Sequence, residues 1–207
     1  MLQTQTLYRM LDNLLDAFDP EESANSSFDN YHAKGLTYLN LARSRQFTAK
    51  LYLSEPGIRH ANSGFLVNPH SHRNNFETLI VRGLVEHFTF VEAESDAIEH
   101  ESWCRFKFRS IVNGGKGFEY DQLVRLGCNK DIFHNGQTYY LMTHQIHTIR
   151  VSEKMPTVQF QIQYHDVPNP VTFCYSRATN SPSVEGLYDR MTPERALEVF
   201  KRIKELI

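Results

Sequence analysis

The sequence predicts a mainly β protein, a sandwich or barrel of short strands with one helix before it and one after it. Short apolar, aromatic and β-branched segments fill the middle of the chain, and turn signals such as the segment 54–57, SEPG, separate them. The segment 157–164, TVQFQIQY, alternates apolar residues with glutamines, as a strand does. Near both ends of the chain, apolar residues recur at steps of three and four, which is the spacing of an amphipathic helix.

A chain of 207 residues can bury a sizeable core and is the usual length of one domain. Within that single domain, 1–207, we expect residues 1–35 to form a helical flank, 36–175 the β-barrel and 190–207 a C-terminal helix. Thr192 is expected to cap the last helix, because its hydroxyl can accept a hydrogen bond from a free N–H of the first turn. Proline at the next position has the backbone angle that opens a helix.

The remaining elements follow from local composition. The predicted strands cover residues 36–42, 47–53, 78–81, 84–91, 118–126, 157–164 and 171–175. The first helix should end near Asp19 and Pro20, and the polar segment 21–30 should be a loop, with a helical turn over 27–33. The segment 113–117, NGGKG, is expected to be a hairpin loop. Either face of the strand 157–164 fits a barrel interior.

Composition excludes several classes of protein. The net charge of −2 gives no sign of a nucleic-acid partner or an anionic membrane surface, and no apolar run approaches the ~20 residues that span a bilayer. The N-terminal segment lacks the charged region and the cleavage site of a secretory signal. Cys104, Cys128 and Cys174 are odd in number and far apart, as reduced thiols would be. We therefore expect a cytoplasmic protein.

The chemical signal of the sequence lies in residues 64–83, GFLVNPHSHRNNFETLIVRG. His70 and His72 are one residue apart, so in a strand both imidazoles would project from the same face. Two imidazoles so close together suit two ligands of one metal ion. Glu77 follows five residues after His72, beyond a polar turn, and adds a carboxylate to the same corner.

This stretch resembles the first sequence motif of the cupin superfamily, in which Gly, His-x-His, Glu and Gly recur at fixed spacing. Gly64, His70 and His72 match that spacing, Glu77 uses its longer option, and Gly83 arrives one residue early. The resemblance implies a cupin double-stranded β-helix, a jelly-roll barrel, and a third histidine ligand further along the chain.

The second cupin motif is matched at its first glycine, Gly136, and at its histidine, His147. Met142, His144 and Val151 replace the proline, glycine and asparagine of that motif. The resemblance therefore gives His147 as the third ligand, with His144 as the next candidate. His87, His100, His134 and His165 are expected to have no part in the site.

Three imidazoles, with or without the Glu77 carboxylate, imply a divalent metal. Imidazole binds Fe, Zn, Cu and Ni, and we expect Fe(II) first, with Zn, Mn or Ni as alternatives. The order of features is most similar to that of the cysteine dioxygenase-type thiol dioxygenases. That similarity implies an Fe(II) dioxygenase of a small polar substrate, thiols included. Glu77 would be a ligand or a base, and Tyr164, with Tyr140, would orient the substrate; a shift of one residue would put Gln163 in the place of Tyr164.

Two other functions fit the same residues. The first is a non-oxidative metal cupin, an isomerase or lyase, in which a redox-inert metal polarises the substrate. The second is a small-molecule-binding cupin without catalysis. For all three we expect a small-molecule partner, and neither nucleic acid nor membrane; the sequence also allows a homodimer.

Overall fold

The computed structural model describes residues 2–58, 64–93, 101–109, 117–165, 171–183 and 185–207. This part of the chain is mainly β. Its helices are α1 (Thr4–Asp16), α2 (Pro20–Ala24) and α3 (Pro193–Leu206). Its strands are β1 (Phe28–Asp29), β2 (Leu36–Arg43), β3 (Phe47–Ser54), β4 (Phe76–Arg82), β5 (Leu84–Glu92), β6 (Glu101–Arg109), β7 (Gly117–His134), β8 (Thr138–Leu141), β9 (Ile146–Val151), β10 (Thr157–Tyr164), β11 (Thr172–Ser176) and β12 (Asp189–Arg190).

The strands form two antiparallel sheets. The seven-stranded sheet has the order β12-β1-β2-β3-β10-β4-β8, and the five-stranded sheet has the order β11-β6-β7-β5-β9. The chain passes from one sheet to the other between β4 and β5, at Gly83. This glycine has a φ of 89°, and a Cβ there would lie 2.8 Å from the Thr157 hydroxyl oxygen. Only glycine fits both the backbone angle and the space.

One face of the seven-stranded sheet packs against the helices. Alternate residues of β3 and β10, among them Leu51 and Phe160, join the apolar sides of α1 and α3 in one buried cluster. The ring of Phe18, just beyond α1, stacks on Phe200 of α3 at 4.0 Å between centroids. We call this the helix-covered face.

The other face of the seven-stranded sheet is turned towards the five-stranded sheet. A second buried cluster joins Phe76 and Ile80 of β4 to Val85 of β5 and Val151 of β9, so the two sheets pack together. A third buried cluster, around Trp103, is formed by side chains of the five-stranded sheet together with Phe65. We call the inward side of the seven-stranded sheet the cavity face.

The predicted helices are present, with one addition. Thr192 caps α3 as expected, its hydroxyl oxygen accepting from the Arg195 N–H at 3.3 Å, and Pro193 opens the helix. The segment 21–30 is not all loop, because Asp19 caps the short helix α2 by accepting from the N–H groups of Glu21 and Glu22. The helical turn expected over 27–33 is wrong, since β1 begins there and pairs with β2.

Several smaller expectations can also be compared with the structure. The three cysteines are free thiols, with Cys128 exposed and the other two buried. Among the described residues no helix is long and apolar enough to cross a membrane. The expected hairpin loop 113–117 lies outside the described residues, except for its last residue, which begins β7.

Candidate metal centre

Main-chain pairing brings the motif histidines together. The N–H of His70 donates to the carbonyl of His147 at 2.9 Å, and the N–H of His147 donates back to His70 at 3.0 Å. The N–H of His72 donates to the Thr143 carbonyl at 3.1 Å, on the approach to β9. His70 forms isolated bridges rather than part of a strand. Residues about 75 positions apart in the sequence thus meet at one edge of the five-stranded sheet.

The three side chains converge on one point. The ligand atoms of His70, His72 and His147 all lie within 4.8 Å of one another. The ring centroids are 4.6 Å apart for His70 and His72, 4.8 Å for His72 and His147, and 5.3 Å for His70 and His147. This separation lets three imidazole nitrogens bind one ion.

The hydrogen bonds of the three histidines leave one ring nitrogen of each free to bind a metal. His70 donates from Nδ1 to the Asn68 carbonyl at 2.8 Å, so its Nε2 carries the lone pair. Nδ1 of His147 lies 2.8 Å from Nε2 of His87; in the tautomer in which Nδ1–H of His147 donates, its Nε2 carries the lone pair. Nε2 of His72 is buried with no hydrogen-bond partner among the described residues. A buried imidazole nitrogen is rarely left unpaired, and a metal ion would satisfy it.

The protonation state also suits a metal. Burial lowers the pKa of His72 and of His147 well below the usual 6.5, and neighbouring histidines lower both further. Burial also lowers the pKa of His70. The three rings are therefore neutral at pH 7, and a neutral imidazole is the form that binds a metal. The donor set fits a divalent first-row ion such as Fe(II), Zn or Ni.

A cavity of about 100 Å³ opens beside the three histidines, between the sheets. Its walls are mostly polar and aromatic, and none of its described lining residues is Asp or Glu. The lining comprises Tyr31, His32, Leu36, Lys50, Tyr52, Val67, His70, His72, Phe76, Tyr139, His147, Ile149, Gln159, Gln161 and Gln163. Its size suits a molecule much smaller than the ligands of typical 300–1,000 Å³ pockets.

Glu77 lies elsewhere, and the expectation that it is a metal ligand or a base is corrected. On β4 it follows Phe76, whose ring contacts His72 at 4.6 Å, so its own side chain points to the helix-covered face. There its carboxylate oxygens accept from the N–H of Leu2 at 2.9 and 3.0 Å. Glu77 is fully buried but is engaged with the N-terminal segment.

Tyr164 and Tyr140 are also on the helix-covered side, and the expectation that they orient a substrate is corrected. The Tyr164 hydroxyl donates to Glu77 at 3.3 Å, and the rings of Tyr140 and Tyr164 lie 6.5 Å apart. Their strand neighbours Tyr139 and Gln163 line the cavity instead. Each of these three differences is a shift of one residue along a strand, which exchanges the faces.

Of the other histidines, His144 is exposed and lies outside the cluster. His134 is exposed and His165 half-buried, without contact to the cavity, while His100 lies outside the described residues. His87, expected to have no role, contacts the triad. It is buried, stacks on Tyr139 at 4.4 Å and holds Nδ1 of His147. Such a partner fixes the orientation of a ligand ring.

His32 and Lys50 are cavity residues that sequence reasoning missed. His32 has a φ of 64°, and its Nδ1 lies 2.8 Å from the hydroxyl of Tyr188, which has the same φ. No sequence pattern marks such a position. Lys50 did leave a signal, since it interrupts the apolar strand β3 on the same side as Tyr52, which indicates a polar interior.

The solved structures named below resemble this chain only distantly. No protein-family model matches the chain, and no curated protein matches it. The structure is similar to KdgF from Halomonas sp., with a TM-score of 0.35 and 14% identity over 62% of this chain and 78% of that chain. It is similar to an RmlC-like cupin from Shewanella frigidimarina, with a TM-score of 0.36 and 12% identity over 67% of this chain and 82% of that chain.

A structure of oxalate decarboxylase is similar at a TM-score of 0.39 and 14% identity, over 67% of this chain but only 28% of that chain. This chain thus spans less than a third of that protein. Similarities so distant assign no activity here. The two antiparallel sheets, the flanking helices and the histidines between the sheets agree with the jelly-roll barrel and flanking helices that the motif resemblance implies.

Proposed function

We propose that this protein is a metal-dependent enzyme that acts on a small polar molecule in the cavity, with a divalent metal held by His70, His72 and His147. The observation that carries the proposal is the convergence of three imidazole ligand atoms to within 4.8 Å. The unpaired, buried Nε2 of His72 supports it. Three protein ligands leave coordination positions open, as catalytic metal sites do and structural sites do not.

Fe(II) with dioxygen as the oxidant is the first candidate chemistry. Fe(II) would supply the redox chemistry by which dioxygen oxidises a substrate. The protein's own residues would position the metal ligands and the substrate, and would shield the substrate from water. His87 would hold the ring of His147 in place, and Gln163 and Tyr139 would orient the substrate from the cavity wall. The half-closed cavity would limit the access of water.

A non-oxidative lyase or isomerase is the second candidate, and Lys50 is the observation that favours it. Burial lowers the pKa of Lys50 to about 7, with a smaller contribution from Arg43. A group that gains and loses a proton near neutral pH suits general acid–base catalysis. In that chemistry a Zn, Mn or Ni ion would polarise the substrate.

The first experiment measures metal content after anaerobic reconstitution with Fe(II). We expect about one iron per chain in the wild type and almost none in His72→Ala or His147→Ala, because two imidazoles hold a divalent ion weakly. His144→Ala is the matched control, since this exposed histidine lies three residues from His147 and should leave the iron unchanged. Full iron in His147→Ala would contradict the assignment of the third ligand.

The second experiment separates the candidate functions with a screen of small thiols and carboxylic acids. Oxygen uptake that requires iron and is lost in His72→Ala would support the dioxygenase. Turnover that is indifferent to oxygen and restored by Zn or Mn would support the lyase or isomerase. Binding without turnover, unchanged by removal of the metal, would contradict both and indicate a binding protein.

A further inference from the structure

Lys50 is a buried cation without an anionic partner. Its side chain lies in the middle of β3, and the residue is only 3% exposed. Its Nζ donates to Oε1 of Gln163 at 2.6 Å and lies over the rings of Tyr38 and Tyr52, at 5.1 and 5.6 Å. No described carboxylate forms an ion pair with it. An ammonium group has three N–H donors, so at least one remains for a ligand.

The cavity as a whole attracts negative charge. Its described lining includes Lys50 and four histidines, His32 and the three of the candidate metal site, but no Asp or Glu. A divalent metal would add two positive charges. Burying unpaired charges costs free energy, and an anionic ligand would offset that cost for the protonated Lys50 and for the metal.

The donors around Lys50 match a carboxylate in particular. Because Oε1 of Gln163 accepts from Lys50, the free end of that side chain is its NH₂ group. Tyr31 and Tyr52 line the same cavity. An ammonium and an amide NH₂ group only donate, and an ionised carboxylate only accepts. The cavity of about 100 Å³ limits the ligand to a few heavy atoms.

We propose that Lys50 and Gln163 form an anion subsite beside the metal and that the substrate is a small carboxylate. This inference rests on the proposed function, which makes the cavity the substrate site. Lys50 would hold the carboxylate while the remainder of the molecule faces the three histidines. The subsite thereby selects acids over their neutral analogues.

The experiment uses propionate and propionamide, which have nearly the same shape and differ in charge. Titration calorimetry would measure the binding of each to the wild type, both metal-free and loaded with Fe(II) under anaerobic conditions. We expect propionate to bind at least about tenfold more tightly than propionamide, since hydrogen bonds to charged groups correspond to about 10- to 150-fold in affinity.

Two variants remove the charge of the subsite in different ways. Lys50→Met removes the ammonium at nearly equal volume, and Gln163→Glu supplies an internal carboxylate that neutralises Lys50 in place. Both should abolish the preference for propionate. Lys107→Met is the control, since Lys107 is an exposed lysine on β6 paired with Asp121 at 2.9 Å, and it should keep the preference.

The outcomes distinguish a failure of the anion subsite from a failure of the proposed metal-dependent function. A preference for propionate that survives in both Lys50→Met and Gln163→Glu would overturn the subsite, and so would the absence of any preference in the wild type. Failure of the wild type to bind Fe(II), Zn, Mn or Ni would overturn the proposed function instead, and the metal-free titration would still test the subsite. Loss of the preference in either cavity variant, with retention in Lys107→Met, would support it.

Discussion

The two faces of the seven-stranded sheet are both shielded from water but differ in chemistry. On the helix-covered face, Leu51 and Phe160 are fully buried among the apolar side chains of α1 and α3. On the cavity face, Lys50, Gln159 and Gln161 are nearly as buried, at 3–7% exposure, yet they are polar or charged. These residues alternate along the same two strands, so the two environments lie one residue apart.

The residues that stabilise the protein and the residues of its candidate site thus lie on different faces of the sheet. Burial of apolar surface contributes about 25 cal/mol per Å², so the helix-covered face supplies stability. Burial of an unpaired ammonium opposes folding, so Lys50 on the cavity face costs stability. Such costs are typical of functional sites, where activity and stability compete. Replacing Phe160 on one face and Lys50 on the other should therefore have opposite effects on stability.

Phe160→Ala should have the largest effect. This ring is fully buried under the helices, and removing a buried phenylalanine costs about 3–5 kcal/mol through lost burial and a cavity. Urea unfolding would measure the free energy of unfolding, and the folded variant should still bind its metal. Gln159→Ala, one residue away on the cavity face, is the control and should cost much less. An equal cost for the two would contradict the comparison.

Lys50→Met should stabilise the protein at pH 7 and below. The pKa of Lys50 is lowered from 10.5 to about 7 by burial, so between these pH values the unfolded chain binds more protons than the folded one. The wild type therefore gains stability as the pH rises through this window. The gain of the variant should be on the order of 1–4 kcal/mol at pH 6, as for other buried charged groups, and should shrink towards pH 10.5.

Urea unfolding of both proteins at several pH values would measure this difference. Groups distant from Lys50 contribute equally to each, whereas His32 and His72, whose pKa values Lys50 lowers, do not, so the trend above pH 7 is the one that reports Lys50. Lys107→Met, at the exposed lysine, should show no such trend. A Lys50→Met variant that is less stable than the wild type at pH 6 would show that the ammonium has a stabilising partner.

Glu77→Gln should have the smallest effect and should leave the metal site intact. The carboxylate accepts from the Leu2 N–H and the Tyr164 hydroxyl, and weakening such bonds to a buried charged group costs about 1–3 kcal/mol. Thermal unfolding would show the loss, and elemental analysis should show full metal content. Loss of metal in this variant, with the fold preserved, would restore Glu77 as a ligand.

Much of the architecture could be predicted from local patterns. β2, β3, β5 and β10 lie within a residue or two of their predicted bounds, because alternation and turn residues are local signals. The α3 cap at Thr192 followed from one hydroxyl at one position. The pair His70 and His72 and the distant His147 came from spacing and resemblance, and the structure brings their ligand atoms together.

The side of each strand that lines the cavity could not be predicted from such local patterns. An alternating strand such as β10 places glutamines on one side and Val158, Phe160 and Ile162 on the other, and both sides suit a buried sheet. The choice depends on whether helices or the other sheet cover a given side. That same choice moved the expected site from Glu77 and Tyr164 to Phe76 and Gln163.

By itself the sequence determined most of the secondary structure, the α3 cap and the histidine pattern, because hydrophobic period, capping chemistry and ligand spacing are properties of short segments; α2 and β1 were not predicted. Only the tertiary structure decided which side of each strand is the cavity, that Lys50 stands there without a counter-charge, and that His87 holds His147. These facts depend on contacts between distant segments, and a shift of one residue along a strand reverses them.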